Sequence, residues 1–303
     1  MSEVPDEVRA LAAERAERRA SRDFAAADAI RDRIVELGFR LVDGPDGPSF
    51  EPIVSAAAER DRADQIQSLL DEPATRDVSV HWVVEGWPED VARALAAFRA
   101  NEAGRDVQYV VADLTEADPA LYGAEVEVLT LEPSMGWGAA RNAGLKRSAG
   151  RIVLAVDGSV EPTGDVFDPL LQALQDPTIG VCGPFGISTH DLHEFHDSPG
   201  PEVDAVEGYL MAFRREVLLD VGLFDEKFRW YRTADIEYSF RVKDAGLRAV
   251  VVAAPVTRHE HRMYHSTPPD ERDRLSKRNY YRFLERFRGR FDLLVDPAER
   301  DQP

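Results

Sequence analysis

The chain has one cysteine in 303 residues. A single thiol closes no internal disulfide, so the packed core must hold the fold, and a reducing compartment suits it. Cys182 stands in Ile179-Gly180-Val181-Cys182-Gly183 and is expected to be a buried structural thiol. No apolar run approaches the roughly 20 residues of a membrane-spanning helix. Met1 to Asp6 brings neither a basic opening nor a following apolar stretch, so a cytoplasmic location is expected. Positive charge is also scarce: 37 Lys and Arg stand against 56 Asp and Glu, a formal net charge of −19. Such a field repels polyanions at long range, and nucleic acid is not expected as the main partner. From Arg258 to Arg290 the balance reverses, with ten basic residues against five acidic ones, interleaved with Tyr264, Tyr280, Tyr281, Phe283 and Phe287. This stretch predicts an amphipathic helix with a solvated basic face. Contact with an anionic diphosphate, an acceptor or a membrane headgroup is the alternative.

With 44% hydrophobic and 31% charged residues, the chain can bury a sizeable core. Residues 7 to 37 are rich in Ala, Glu and Arg, with Phe24, Ala27, Ile30, Ile34 and Leu37 at helical steps and a break near Ser21. Gly38 is the expected cap, Phe39 to Val42 a short strand, and Asp43 to Pro48 a turn. Residues 1–50 therefore read as a small helical module and residues 51–77, polar and Ala-rich with bounding prolines, as a linker with a helical middle. From Val78 the pattern changes to strand and helix in alternation: strands 78–84, 107–112, 126–131 and 152–156, helices 89–99 and 139–147. That order predicts an α/β domain over 78–265 with a mostly parallel sheet flanked by helices, and ligands beyond the carboxyl ends of its strands. Residues 266–303 make the basic amphipathic helix and a tail.

Four elements occur in an order suited to one active site. Asp113 closes the strand Val110-Val111-Ala112, a glycine-rich run from Gly136 to Leu145 opens a helix, Asp157 ends the next strand, and Asp235 sits in Thr233-Ala234-Asp235-Ile236-Glu237. Chemistry on a nucleotide-activated sugar needs a nucleoside anchor, a carboxylate that can hold a cation, and a base across a cleft. Each acid also has a plainer reading as a turn or helix cap. His190, His193 and His196 recur every three residues, which suggests zinc, but the surrounding Ser, Thr, Pro and Gly favour a lid or acceptor loop.

Two resemblances follow. Arg18 to Gly47 resembles the C-terminal helical segment of cysteinyl-tRNA synthetases without that enzyme's zinc or nucleotide signatures, which implies an appended scaffold or interaction module. Residues 78 to 265 resemble the family 2 glycosyltransferases of the GT-A fold. The shared pattern is the acid after Val110-Val111-Ala112, the Ala140-Arg141-Asn142-Ala143-Gly144 helix, the strand ending in Asp157, the segment from Val206 to Phe228, Ala234-Asp235 with Arg241, and a late histidine. The resemblance implies sugar transfer from a nucleoside diphosphate sugar to a hydroxyl acceptor, with inversion. By it, Asp113 binds the nucleoside, Gly138, Arg141 and Asn142 meet the sugar nucleotide, and Asp157 and Ser159 face the diphosphate. A divalent cation, Mn or Mg, falls to Asp157 and Ser159 with His259, the choice over His261. Asp235 is the base, and Glu207, Gly208, Trp230 and Tyr231 line the acceptor side. The family's Asp-x-Asp reads Asp157-Gly158-Ser159 here, with Glu161 two residues on, and Ala234 replaces the usual Glu before the base. Those departures motivate two alternatives: a sugar-nucleotide-binding protein without catalysis, and an adaptor acting through the N-terminal module.

Overall fold

Runs of β-branched residues at 78–84, 107–113 and 150–156 become strands buried along most of their length, as a sheet covered on both faces requires. The computed structural model describes residues 5–21, 23, 26–27, 30–31, 33–34, 39–44, 47–52, 65–115 and 117–296. Phe24, the Gly38 cap and the helical middle expected for the linker lie outside the described residues. The chain divides into two units, Met1–Glu59 and Arg60–Pro303.

In the first unit, α1 (Asp6–Ala20) ends at a turn on Ser21, and β1 (Phe39–Gly44) pairs antiparallel with β2 (Gly47–Pro52). Val8, Ala12 and Ile34 are its buried apolar residues, with Leu11 and Ile30 against them. Arg18 lies near Glu14 and Asp23, a salt-bridged solvent face.

The second unit opens with β3 (Arg76–Val84), α2 (Pro88–Ala100), β4 (Val107–Asp113), β5 (Glu127–Thr130), α3 (Trp137–Lys146) and β6 (Gly150–Val156). Next come β7 (Val160–Pro162), α4 (Phe167–Ala173), β8 (Ile179–Gly183), β9 (Gly186–Ser188), β10 (His196–Ser198), β11 (Ala205–Val206) and β12 (Leu210–Arg214). It closes with α5 (Arg215–Asp220), α6 (Ala234–Asp244), β13 (Arg248–Val251), β14 (Val256–Arg258), α7 (Arg262–Ser266) and α8 (Pro269–Phe287). The main sheet has seven strands in the order β13-β8-β12-β6-β3-β4-β5. It is parallel except for β12, which runs antiparallel to β6 and β8.

Register decides where the chemistry goes. β3 and β4 pair from Val78↔Val107 to Val84↔Asp113, and β6 joins β3 at Val78↔Ile152. The residues following β3 and β6, Glu85 and Asp157, therefore reach one sheet edge beside Asp113. On one face Trp82 packs on Phe98 at 5.3 Å and on Tyr109 at 6.1 Å, with Phe167 beyond. On the other, Phe224 stacks on Tyr238 at 4.4 Å, and Phe213 and Phe228 are fully buried. Each such ring contributes roughly 1.5–3 kcal/mol by burial. Cys182 is buried in β8, where desolvation pushes its thiol up to about 12. The basic segment forms α8, whose Phe283 and Phe287 pack on Phe240 while Arg282 and Arg286 pair with Asp225 and Glu237.

Candidate active site

Asp157 has both oxygens engaged. Oδ1 accepts from the backbone N–H and hydroxyl of Ser159, and Oδ2 faces Nε2 of His261 at 3.1 Å. Burial opposes its ionisation, but the His261 and Ser159 hydrogen bonds outweigh it and hold the carboxyl below its usual range. His261 caps α7: its Nδ1 accepts from the Tyr264 N–H, which leaves Nε2 to donate to Asp157, and Tyr231 stacks on the ring at 4.5 Å. Burial pulls the imidazole pKa down, and the Asp157 bond and charge raise it on balance.

His259 goes elsewhere. The β14·β7 ladder sets Thr257 opposite Glu161, and His259 Nε2 lies 2.8 Å from Glu161 Oε2 while its N–H donates to the Ser159 carbonyl. His261 thus takes the place beside Asp157 that was expected of His259, and Glu161 is occupied by His259 and Arg93.

Asp235 lies in the first turn of α6, after Thr233, which adopts φ 71°. A β-branched residue in that region is strained, and the turn it makes aims Arg232 and Asp235 into one space. Asp235 Oδ2 accepts from the Gly208 N–H at 2.7 Å and Oδ1 from the Ile236 N–H. Burial raises the Asp235 pKa despite those bonds, and burial followed by the Asp235 charge pushes Glu207 up to about 7.

Asp157, His261, Arg141, Glu207, Asp235 and Tyr231 all line one cavity of about 880 Å³. A smaller cleft shares Asp157, His261, Tyr231 and Trp137 with it and adds Glu85, Trp87 and Gly158. Burial pushes Glu85 up to about 7. Sequence reasoning missed Glu85 although it follows β3 at the same edge as Asp157, where the topology places ligands.

The remaining expected site residues divide. Arg141 lies beneath Trp137 at 5.3 Å and donates to the carbonyls of His81 and Val156, so its buried guanidinium joins the ends of β3 and β6 while facing the cavity. Asn142 bonds the backbone of Phe224 in both directions and lines neither space. Gly138 is a packing position: an added Cβ would stand 2.9 Å from the carbonyl oxygens of Asp225 and Phe228. Gly138→Ala should lower Tm, because overpacking of about 1–3 kcal/mol outweighs about 1 kcal/mol of helix propensity. An unchanged Tm would contradict this packing. Asp113 accepts from the Thr115 N–H and hydroxyl and from the Tyr122 hydroxyl at 2.7 Å. Its oxygens are turned into its own loop, and it lines neither space. Trp230 is buried with its carbonyl held by Asn279, outside both spaces, whereas Tyr231 lines both. The three spaced histidines diverge: His190 meets the Asp296 carbonyl, His193 the Tyr280 hydroxyl, and His196 stands exposed on β10. Among the described residues no group of three or more His, Cys, Asp or Glu is arranged to hold a metal ion.

Residues 108–237 match the profile "Glycosyl transferase family 2" and residues 194–282 the profile "Glycosyltransferase like family 2". The chain carries a family 2 glycosyltransferase domain. The overlap of those matches, 194–237, holds Glu207, Gly208, Tyr231 and Asp235. The pre-mycofactocin glycosyltransferase of Mycobacterium tuberculosis is 27% identical over 214 residues, 63% of this chain and 44% of that protein. The chain thus spans less than half the length of that relative. Cysteine–tRNA ligase 1 of Burkholderia lata is 42% identical over 59 residues, 20% of this chain and 13% of that enzyme. Among solved structures, GalNAc-T7 with UDP, GalNAc and Mn2+ superposes with a TM-score of 0.57 at 17% identity, over 72% of this chain and 49% of that one. The family 2 domain has the GT-A fold. Among the described residues no helix is long and apolar enough to cross a membrane.

Proposed function

We propose that the family 2 domain moves a sugar from a nucleoside diphosphate sugar to a hydroxyl acceptor by direct, inverting displacement. The observation that carries this reading is that Asp157 and Asp235 line one cavity of about 880 Å³, ample for a donor sugar with an acceptor beside it. Asp235 is the general base. Its carboxylate is fixed by the Gly208 N–H, and burial makes it a better proton acceptor than an ordinary aspartate. Glu207 provides the neighbouring acid that Ala234 does not, because Ala234 is buried in the core. Trp137 and Arg141 bound the donor side, and Glu85 and Trp87 the cleft on which the nucleoside would rest.

GalNAc-T7 was solved with Mn2+, and the residues of this chain fit a divalent cation through Asp157 and His261. Such cations take one or two carboxylates and complete their shell with substrate phosphate oxygens, which suits a site with few side-chain ligands. Ligation by His261 Nε2 would move its proton to Nδ1 and give up the Tyr264 N–H bond, a cost of about 0.5–1.5 kcal/mol. Ser159 would hold Asp157 in place. When bound, the ion supplies positive charge against the departing diphosphate.

Transfer and donor hydrolysis assayed with UDP- and GDP-sugars, with and without Mn2+, test the proposal. A second reading, sugar-nucleotide binding without catalysis, is favoured by Ser159 and Ala234; binding in calorimetry with no sugar ever moved would establish it. For the N-terminal module, residues 1–50 ahead of a 51–77 linker, we propose an interaction role, which a pull-down at physiological salt would test.

The Glu207–Asp235 pair also sets a pH dependence. Transfer is expected to rise as pH increases through about 7, where Glu207 ionises beside Asp235. For stability the sign is opposite. The folded state holds the Glu207 proton more tightly than the unfolded chain, so this group's contribution is full below pH 4.5 and lost as pH rises to about 7. Glu207→Gln should therefore gain Tm over the parent protein only as pH passes through that window; a gain equal at pH 4 and pH 8 would contradict it.

A further inference from the structure

The mouth of the large cavity carries three exposed cations: Arg232 just before α6, Arg258 at the end of β14, and Lys277 on α8. Among the described residues, none of them lies within ion-pair distance of a carboxylate, in a domain whose other surface arginines mostly have one. Each rests on an aromatic ring instead. Arg232 covers Tyr264 at 5.2 Å, with Arg272 on the same ring at 4.1 Å; Arg258 covers Tyr209 at 4.6 Å and Phe185 at 5.2 Å; Lys277 lies 6.0 Å over Tyr281. Stacking fixes the cation and leaves its hydrogen-bond donors open. The carboxylates of the same cavity are mostly engaged: Asp157 with His261, Glu260 with His265, and Asp235 with the Gly208 amide beside Glu207. Among the described residues, Glu207 and the exposed Asp197 have no such partner.

None of the three closes an ion pair among the described residues, although Arg232 and Arg258 act on Glu207 through space and lower its pKa. Grouped at one cavity with their donors open, the three can hold and orient an anion. Their place is on the base's side. The φ 71° turn at Thr233 points Arg232 the same way as Asp235, and Arg232 lowers the pKa values of Asp235 and Glu207. Arg262, by contrast, lines the smaller cleft and is paired with Glu89 and Asp90.

We infer that the acceptor carries an oxyanion, phosphate or carboxylate, and that Arg232, Arg258 and Lys277 hold it while its hydroxyl meets Asp235. This rests on the sugar-transfer reading and adds the acceptor's chemical class. The test titrates the full chain, with and without UDP and Mn2+, with three probes sharing one frame: glycerol, glycerate and glycerol 3-phosphate. At least one anion should bind about tenfold or more tighter than glycerol, and the Arg232→Gln/Lys277→Gln double variant should lose that preference. The variant should keep its Tm and its UDP affinity, since both side chains are exposed and on the acceptor side. Equal binding of all three probes would overturn the inference. So would a double variant that loses UDP and retains the anion preference, which would assign the cations to the donor diphosphate. Failure of the unaltered chain to bind any nucleoside diphosphate would instead sink the donor reading, and the titrations without UDP distinguish the two failures.

Discussion

Asp235→Asn should lower transfer by about 10²- to 10⁴-fold, the span that a positioned general base contributes, and leave donor affinity nearly unchanged. Asparagine keeps the size of the side chain and one acceptor for the Gly208 N–H, giving up only the contact with the adjacent Ile236 N–H, so the α6 terminus stays in place while the group that takes the acceptor's proton is gone. Steady-state rates at saturating donor, with calorimetric titration of the nucleoside diphosphate, separate the two effects. Should the Asn variant keep its rate, the base assignment fails and Glu207, the other cavity acid raised toward neutrality, takes its place. Glu207→Gln would then carry the large loss.

Asp157→Ala should do more, because it acts before chemistry. Removing this carboxylate strands the Ser159 hydroxyl and N–H and leaves His261 without the partner that orients it. It also deletes the only acid among the proposed cation ligands. Donor affinity in the presence of Mn2+ should fall by roughly 10- to 150-fold, since charge-assisted contact worth about 1.5–3 kcal/mol is lost with the ion. Mn2+ should no longer improve donor binding. The His261 pKa, followed by NMR, should drop once Asp157 no longer raises it, which reports the pair directly. Donor binding that stays strong and Mn2+-dependent would remove Asp157 from the diphosphate site.

The sheet was legible because strands buried on both faces read as continuous β-branched runs, and helices between them force parallel neighbours. The carboxyl-edge rule then located Asp157 without any knowledge of register. What the sequence hid depends on contacts between distant segments. His259 and His261 are two residues apart, and only the β14·β7 ladder shows that the first reaches Glu161 and the second reaches Asp157. Asp113 carries the family's pattern, yet Tyr122 and Thr115 turn its oxygens away from both spaces. Asn142 bonds the backbone of Phe224, 82 residues away, and no local pattern announces that. The raised pKa values of Glu85 and Glu207 come from burial, which composition does not reveal. Arg232 owes its place to one left-handed threonine, a backbone state that residue type argues against.

A crystal structure of the chain with a nucleoside diphosphate sugar and Mn2+ tests the central claim most directly. The account predicts the diphosphate and ion against Asp157 and His261, the nucleoside toward Glu85 and Trp87, and the anomeric carbon opening toward Asp235. A donor bound away from this cavity, or lying in it with its sugar turned from Asp235, would contradict it.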